Sequence, residues 1–360
     1  MMTRIKKNRW MHAGLGVTLA SALLSVTLAT ACSQSHPPLE PTSRPDSNAP
    51  ITTPPTPPPV TANPLLGAQL FVDPNSTVML RANSVKDSDP EKYQLLMKIA
   101  EKPQGLWMGE WNSDIYRAVE HFVKRATDAG AVPVMIAYNV PYRDYGAKHS
   151  EGGLAIKEAY QRWIRDVYAG IGDHAAVVVL EPDALPGVSE GSALPENLRE
   201  ERLFLLNDAI RVLRQNPKVA VYIDAGHAAW VPAEQMAELL KKAGVEHASG
   251  FSINTSNYRT TEECLEYGHK ISELVGGKHF VIDTSRNGNG PYLEAKSEEE
   301  TWCNPPGRKI GKPPTTDTGD PLCDAFLWLK RPGESDGECN GGPPAGVLWE
   351  EQALQYATEE

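Results

Sequence analysis

Positive charge is in short supply: Lys and Arg number 35 against 46 Asp and Glu, leaving a formal net charge of −11. That balance argues against nucleic acid or anionic lipid as a partner. Beyond the first 31 residues there is no long apolar run, so no membrane-spanning helix is expected in the remainder. Cysteine is scarce, five in all, and the spacing of Cys264, Cys303, Cys323 and Cys339 matches no zinc pattern. No internal repeat is visible, and neither a metal nor a cofactor is implied.

What stands at the start is a leader. Arg4, Lys6, Lys7 and Arg9 precede an apolar run from Ala13 to Ala31, the order of a secretory signal over residues 1–31. Ala29-Thr30-Ala31 suits a cleavage site. Ala31-Cys32 also resembles a bacterial lipobox, although Ala29 stands where Leu is usual, and a lipid-anchored Cys32 is the favoured reading. Either way the chain is exported, to the cell surface as a lipoprotein or as a secreted protein. Membrane contact is then expected only through the anchor, and the chain is expected to be a monomer. Without the leader, which carries four basic and no acidic residues, the net charge falls to −15. A neutral substrate suits it.

Residues 32–63 are rich in Pro, Thr and Ser, with Pro54-Pro55-Thr56-Pro57-Pro58-Pro59 at their centre. Such a segment cannot bury a core and is expected to be an extended spacer. Residues 64–360 remain for a single domain. Apolar strand-like runs alternate there with helical patterns: Val78–Leu80, Leu106–Met108, Val132–Tyr138, Val177–Leu180, Val219–Ile223, Ser249–Ile253, Phe280–Ile282 and Ala325–Leu329. The alternation predicts an α/β fold with parallel strands and helices outside. From Asp283 to Gly346 the regularity stops, and long irregular segments in compact domains are usually functional.

The ends of these runs carry acids. Val177-Val178-Val179-Leu180 runs into Glu181-Pro182-Asp183, Val219–Ile223 into Asp224-Ala225-Gly226-His227, and Phe280–Ile282 into Asp283. Asp144 follows Tyr138, and Glu334 and Asp336 follow Leu329, so five strand-like runs bring acids to one rim. A cap or a solvated loop explains one such acid. Several together raise one another's pKa, so one is expected to hold a proton. A protonated carboxyl beside an ionised one is what cleavage of a glycosidic bond uses. Trp107, Trp111, Tyr138, Tyr142, Trp230, Tyr258 and Trp302 lie in or beside the same loops, and such rings stack on the C–H faces of sugars. Gly187-Val188-Ser189-Glu190-Gly191 spells a serine-hydrolase elbow, but Pro182 and Pro186 separate it from the strand that motif requires.

Taken together, Tyr138-Asn139-Val140-Pro141-Tyr142-Arg143-Asp144, Leu180-Glu181-Pro182-Asp183, Tyr222-Ile223-Asp224-Ala225-Gly226-His227, Asp283-Thr284-Ser285-Arg286-Asn287-Gly288 and Lys330-Arg331-Pro332-Gly333-Glu334-Ser335-Asp336-Gly337 resemble, in order, glycoside hydrolase family 6, the inverting cellulases. The resemblance implies a distorted barrel of parallel strands and hydrolysis of β-1,4-glucan. It implies Asp183 as general acid, Asp144 beside it, Asp336 as candidate base, Asp224 in support and Tyr138 crowding the scissile sugar. Trp107, His227, Trp230, Trp302, Lys330 and Glu334 would line the subsites. It also implies a Cys303–Cys339 disulfide, with Cys264–Cys323 as a possible second pair. One departure stands out. The family commonly has a cysteine directly after the motif Arg-Asp, paired to one shortly after the acid, and here Tyr145 occupies that place.

No segment reads as a separate cellulose-binding module, so soluble or amorphous glucan is the expected substrate. A folded part of this length leaves little chain for enclosing loops, which favours an open cleft and endo action. Two other readings are a hydrolase of another exported or cell-wall polysaccharide and a sugar-binding lipoprotein without catalysis.

Overall fold

The computed structural model describes residues 44, 46, 49–60, 62–145 and 151–358. The leader and Cys32 lie outside the described residues. Seven strands, β1 (Leu106–Met108), β2 (Val134–Ala137), β3 (Ala176–Leu180), β4 (Val219–Asp224), β5 (Gly250–Ile253), β6 (His279–Asp283) and β7 (Cys323–Leu327), pair in sequence order, and every pair is parallel. Parallel neighbours need a crossover, and helices supply it. These are α3 (Ile115–Asp128), α4 (Lys157–Ile171), α5 (Glu196–Leu213), α6 (Ala233–Ala243) and α7 (Thr261–Leu274). The last crossover is the irregular one and holds only the short α8 (Glu298–Trp302).

Alternation along each strand divides the core in two. Val134, Ile136, Val177, Val179, Ala220, Tyr222, Val281, Ala325 and Leu327 fill the concave interior of the curled sheet. Met135, Ala137, Val178, Leu180, Val221, Ile223, Phe251, Phe280 and Ile282 face the helices. The same parity turns Tyr138, Asp224 and Asp283 inward at the C-terminal rim. The fold is thus a distorted α/β barrel with its acids at one mouth.

The barrel does not close by a full ladder. At the seam between β1 and β7, Gly105 N donates to Trp328 O (2.9 Å), Trp107 Nε1 to Leu329 O (2.9 Å) and Arg331 Nε to Gly105 O (2.8 Å). A Cβ at Gly105 would stand 2.9 Å from Leu329 O, so glycine permits the approach. Helices α1 (Thr77–Val85), α2 (Pro90–Ala100) and α9 (Glu350–Ala357) form a third apolar cluster with Trp328.

Three sequence expectations need correction. Val78–Leu80 is not a strand but the first turn of α1, capped by Ser76, whose Oγ accepts from Met79 N at 3.3 Å. Three apolar residues carry no period, and the cap decides. Cys264 and Cys323 are buried free thiols. The Pro-rich segment is not a free spacer over its second half. Arg162 Nη1 donates to Ala49 O (3.1 Å), Arg165 Nη2 to Thr52 O (2.8 Å), Arg211 Nη1 to Thr56 Oγ1 (2.7 Å) and Lys278 Nζ to Val60 O (3.0 Å). An extended proline-rich chain makes no internal hydrogen bonds, so its carbonyls are open to such donors.

Candidate active site

The loop after β2 is clamped from several sides. Glu181 Oε2 accepts from Asn139 N (2.8 Å) and Val140 N (2.9 Å), which makes this buried acid a structural post. Arg143 is also buried. Its Nη1 donates to Tyr138 O (2.8 Å) and to Glu110 Oε2 (2.8 Å), and its guanidinium lies 4.1 Å from the centre of the Tyr138 ring. The Tyr138 hydroxyl donates to Asp144 Oδ2, and its ring meets Trp107 edge-on at 5.1 Å. Four non-glycine residues of the loops after β2 and β3 have left-handed backbone: Tyr142 (φ 57°), Asp144 (49°), Glu181 (51°) and Asp183 (67°). Such conformations cost energy and persist where neighbours enforce them.

Asp183 is gripped by its main chain. Its N–H donates to Asp224 Oδ1 at 3.0 Å, an atom that also accepts from Gly226 N at 3.0 Å, while Asp224 Oδ2 accepts from Thr255 Oγ1 at 2.6 Å. Burial in the cleft, and then the negative charges of Asp144 and Asp224, push the Asp183 carboxyl well above the usual carboxylate range. Asp224 is raised to about 6, chiefly by burial, against the pull of Thr255 and the two amides.

Asp336 lies at the opposite extreme. Burial would raise it, but Arg286 and Lys330 outweigh burial and hold it at about 2. Arg286 Nη1 reaches both carboxylate oxygens at 2.8 and 2.9 Å, Lys330 Nζ stands 3.1 Å from Oδ1, and Asn304 N donates to Oδ2 at 3.0 Å. Arg286 is wholly buried and also donates to Ser256 O. The Cys303–Cys339 disulfide lies beside this site, Cα to Cα 6.1 Å, closing a separation of 36 residues. Asn304, next to Cys303, accepts from Asp336 N (2.9 Å) through Oδ1 and donates to Gly337 O (2.9 Å) through Nδ2.

The remaining expected positions fall into two groups. His227 and Trp230 lie together with ring centres 5.7 Å apart on the loop after β4, Trp230 exposed and His227 lowered to about 4, mainly by burial. Trp302 ends α8 beside Cys303 and is half-buried. Lys330 and Glu334, in contrast, are engaged in protein contacts. Lys330 Nζ binds Ser335 O and Asp336, and Glu334 Oε1 accepts from Arg331 at 3.1 Å. The acid-bearing strand ends are not consecutive, because β5 delivers Asn254 and Thr255 instead. Asp283 binds Ser285 N and Leu329 N through Oδ1 and Ser256 N and Lys330 N through Oδ2, a brace for the β5, β6 and β7 loops. Sequence reading gave no role to Arg286, Asn304 or Thr255. Arg286 stood inside a quoted motif, but its partner lies 50 residues away. Among the described residues, no group of three His, Cys, Asp or Glu is arranged to hold a metal ion.

The model for glycosyl hydrolases family 6 matches residues 65–360. Endoglucanase A of Cellulomonas fimi is 42% identical over 289 residues, which is 80% of this chain and 60% of that one, so the chain spans about three-fifths of that relative's length. Endoglucanase 1 of Streptomyces halstedii is 38% identical over 292 residues, 79% of this chain and 87% of that one. The structure of the endoglucanase Cel6 from Mycobacterium tuberculosis, in complex with methyl-cellobiosyl-4-deoxy-4-thio-β-D-cellobioside, superposes with a TM-score of 0.77 at 42% identity, covering 82% of this chain and 98% of that one. With the family match covering residues 65–360, and with this rim of acids at the mouth of a parallel barrel, the chain belongs to glycosyl hydrolases family 6.

Proposed function

We propose that the protein is an exported, endo-acting cellulase that hydrolyses β-1,4-glucosidic bonds with inversion, with Asp183 as general acid. One observation carries the reading: Asp183 has its carboxyl pushed well above the usual range by burial and by Asp144 and Asp224. A carboxylic acid that keeps its proton near neutrality can deliver it to a departing glycosidic oxygen. As that C–O bond breaks, a water adds to the anomeric carbon from the opposite face and gives up a proton. Asp183 ends as carboxylate, and two sugar hydroxyls replace the glycosidic link.

Asp336 remains a candidate for the base, but it is a weak one. A carboxylate held at about 2 by Arg286 and Lys330 has little affinity for a proton at working pH. Asp144, which lies close enough to Asp183 to raise it, is the better acceptor, relaying through water while Asp183 holds its own proton. Tyr138, wedged between Trp107 and Arg143, would press on the scissile sugar and favour a distorted ring. Trp107, His227, Trp230 and Trp302 would line the subsites, and Lys330 and Glu334 would act mainly by holding the Asp336 loop. Relatives named as endoglucanases favour endo action on glucan. Residues 1–31 would be removed on export and Cys32 lipidated, and Cys32→Ser should then release the protein from the membrane fraction.

The test is hydrolysis of carboxymethylcellulose and of cellohexaose, with the first-formed anomer followed by proton NMR. The reading requires new reducing ends within the chain and an α product. A β product means retention and a different carboxylate pair. Binding without any release of reducing sugar would leave a lectin-like protein in place of an enzyme.

A further inference from the structure

Arg202 lies in the second turn of α5 with 3% of its surface exposed. Its Nη2 donates to the carbonyls of Pro141 (3.1 Å) and Tyr142 (2.5 Å), in the loop that leads to Asp144. Its other terminal nitrogen abuts Gly187, in the loop that leaves Asp183, where a Cβ would stand 2.8 Å from Nη1. Nε is buried without a partner. Burial lowers the pKa of this guanidinium, and the negative charge that opposes the loss comes through space from Asp144 and Glu181. A buried cation that gives its hydrogen bonds to neutral carbonyls is expensive to keep. Here it touches both loops that carry the proposed proton chemistry.

Other described groups face Asp144 as well. Tyr138 and Asp183 face it and bring no positive charge. Arg143 faces it too and adds positive charge, while also pairing with Glu110 at 2.8 Å. With Tyr145 where a bridging cysteine is common, a non-covalent tie between the two loops has a place to act.

We infer that Arg202 is a positioning residue of the hydrolytic site, latching the Asp144 loop to the Asp183 loop and adding a fixed positive charge that favours an ionised Asp144 beside a protonated Asp183. The inference rests on the proposed roles of those two acids. In such a pair the acidic limb of the pH profile reports Asp144 and the basic limb reports Asp183.

The experiment compares wild type, Arg202→Met and Arg202→Lys on cellohexaose across pH, in the full chain. Arg202→Met should lower kcat at least ~10-fold with KM changed by less than ~3-fold, because orientation is lost while the subsites remain. Its acidic limb should rise by ~0.5 unit or more, since a positive charge that favoured ionisation is gone, and the basic limb should stay. Arg202→Lys keeps the charge and should restore the acidic limb. It should not restore kcat, because one ammonium cannot span both loops as the planar fork does. An unmoved acidic limb in Arg202→Met would reduce Arg202 to packing. Should that variant fail to fold by circular dichroism, Arg202→Lys decides: a normal kcat overturns the latch and a shifted acidic limb overturns the charge. Wild type inert on every β-1,4-glucan would instead refute the hydrolase reading itself.

Discussion

The backbone N–H of Asp183 donates to Asp224 Oδ1 at 3.0 Å, so the residue proposed as proton donor is held by its main chain. No hydrogen bond from the described residues reaches its carboxyl, which feels burial and two neighbouring negative charges. Asp224 thus serves both position, through the main chain, and proton affinity, through its charge. A general acid needs both, and its own oxygens stay open to the substrate.

Replacing Asp183 with Asn removes the proton while leaving the grip on the main chain. General acid catalysis is typically worth about 10²–10⁴-fold, or roughly 3–5 kcal/mol of barrier. Steady-state kinetics on cellohexaose should show a loss of at least that size with KM little changed. On an aryl cellobioside whose leaving group departs without a proton, the deficit should shrink. Near-normal turnover of the unactivated substrate would remove Asp183 from its role.

Replacing Asp144 with Asn removes a negative charge that raises Asp183. The Asp183 carboxyl should then release its proton at lower pH. Because the working form is protonated, the basic limb of kcat/KM should move downward. A limb that moves upward or stays would mean that the two carboxyls do not share a field.

Asp336 makes an acid-sensitive contribution to stability. Its folded value, about 2, lies below that of an unperturbed Asp, so the contribution is present above about pH 4 and is lost as pH falls towards 2. Asp336→Asn leaves buried Arg286 with Lys330 and no carboxylate between them. At neutral pH that should cost about 3–5 kcal/mol in urea unfolding. The gap between variant and wild type should close as pH approaches 2. A gap constant with pH would mean that Asp336 is not ionised in the folded protein.

Opening the Cys303–Cys339 bridge with a Cys303→Ser, Cys339→Ser double variant should destabilise by roughly 3–4 kcal/mol on the chain-entropy account. Since Asn304 ties the same loop to Asp336, activity should fall at temperatures where the domain is still folded. Alkylation of the denatured, unreduced protein should label Cys264 and Cys323 but neither bridge cysteine.

Much of the barrel and its acid rim was legible in the sequence because strands buried on both faces leave nearly continuous apolar runs. The strands from β1 onward could be placed from such runs, and Asp183 and Asp224 from their ends. Val78–Leu80 was misread for the same reason, since an apolar triplet looks alike in a helix and a strand. What sequence could not supply was pairing at a distance. Arg286 meets Asp336 across 50 residues, and Arg202 reaches Pro141 across 61. A lone arginine on an amphipathic helix gives no sign that its head is buried. The docking of the Pro-rich stretch depends on Arg162, Arg165 and Arg211 on helices far along the chain.

The seam between β1 and β7 makes the width of the cleft a mechanical variable. Elsewhere around the sheet, neighbouring strands are locked by ladders, whereas here the lips are held by Gly105, Trp107 and Arg331. Trp107, proposed to line a subsite, sits on one lip, and Lys330, which holds the Asp336 loop, sits on the other. A chain long enough to touch both lips adds rungs to the gap, while one confined to a single lip leaves it as compliant as before. Stiffness of the barrel is then expected to depend on the length of the bound sugar. The amide of Gly105, bonded to Trp328 across the gap, is where hydrogen exchange would register it.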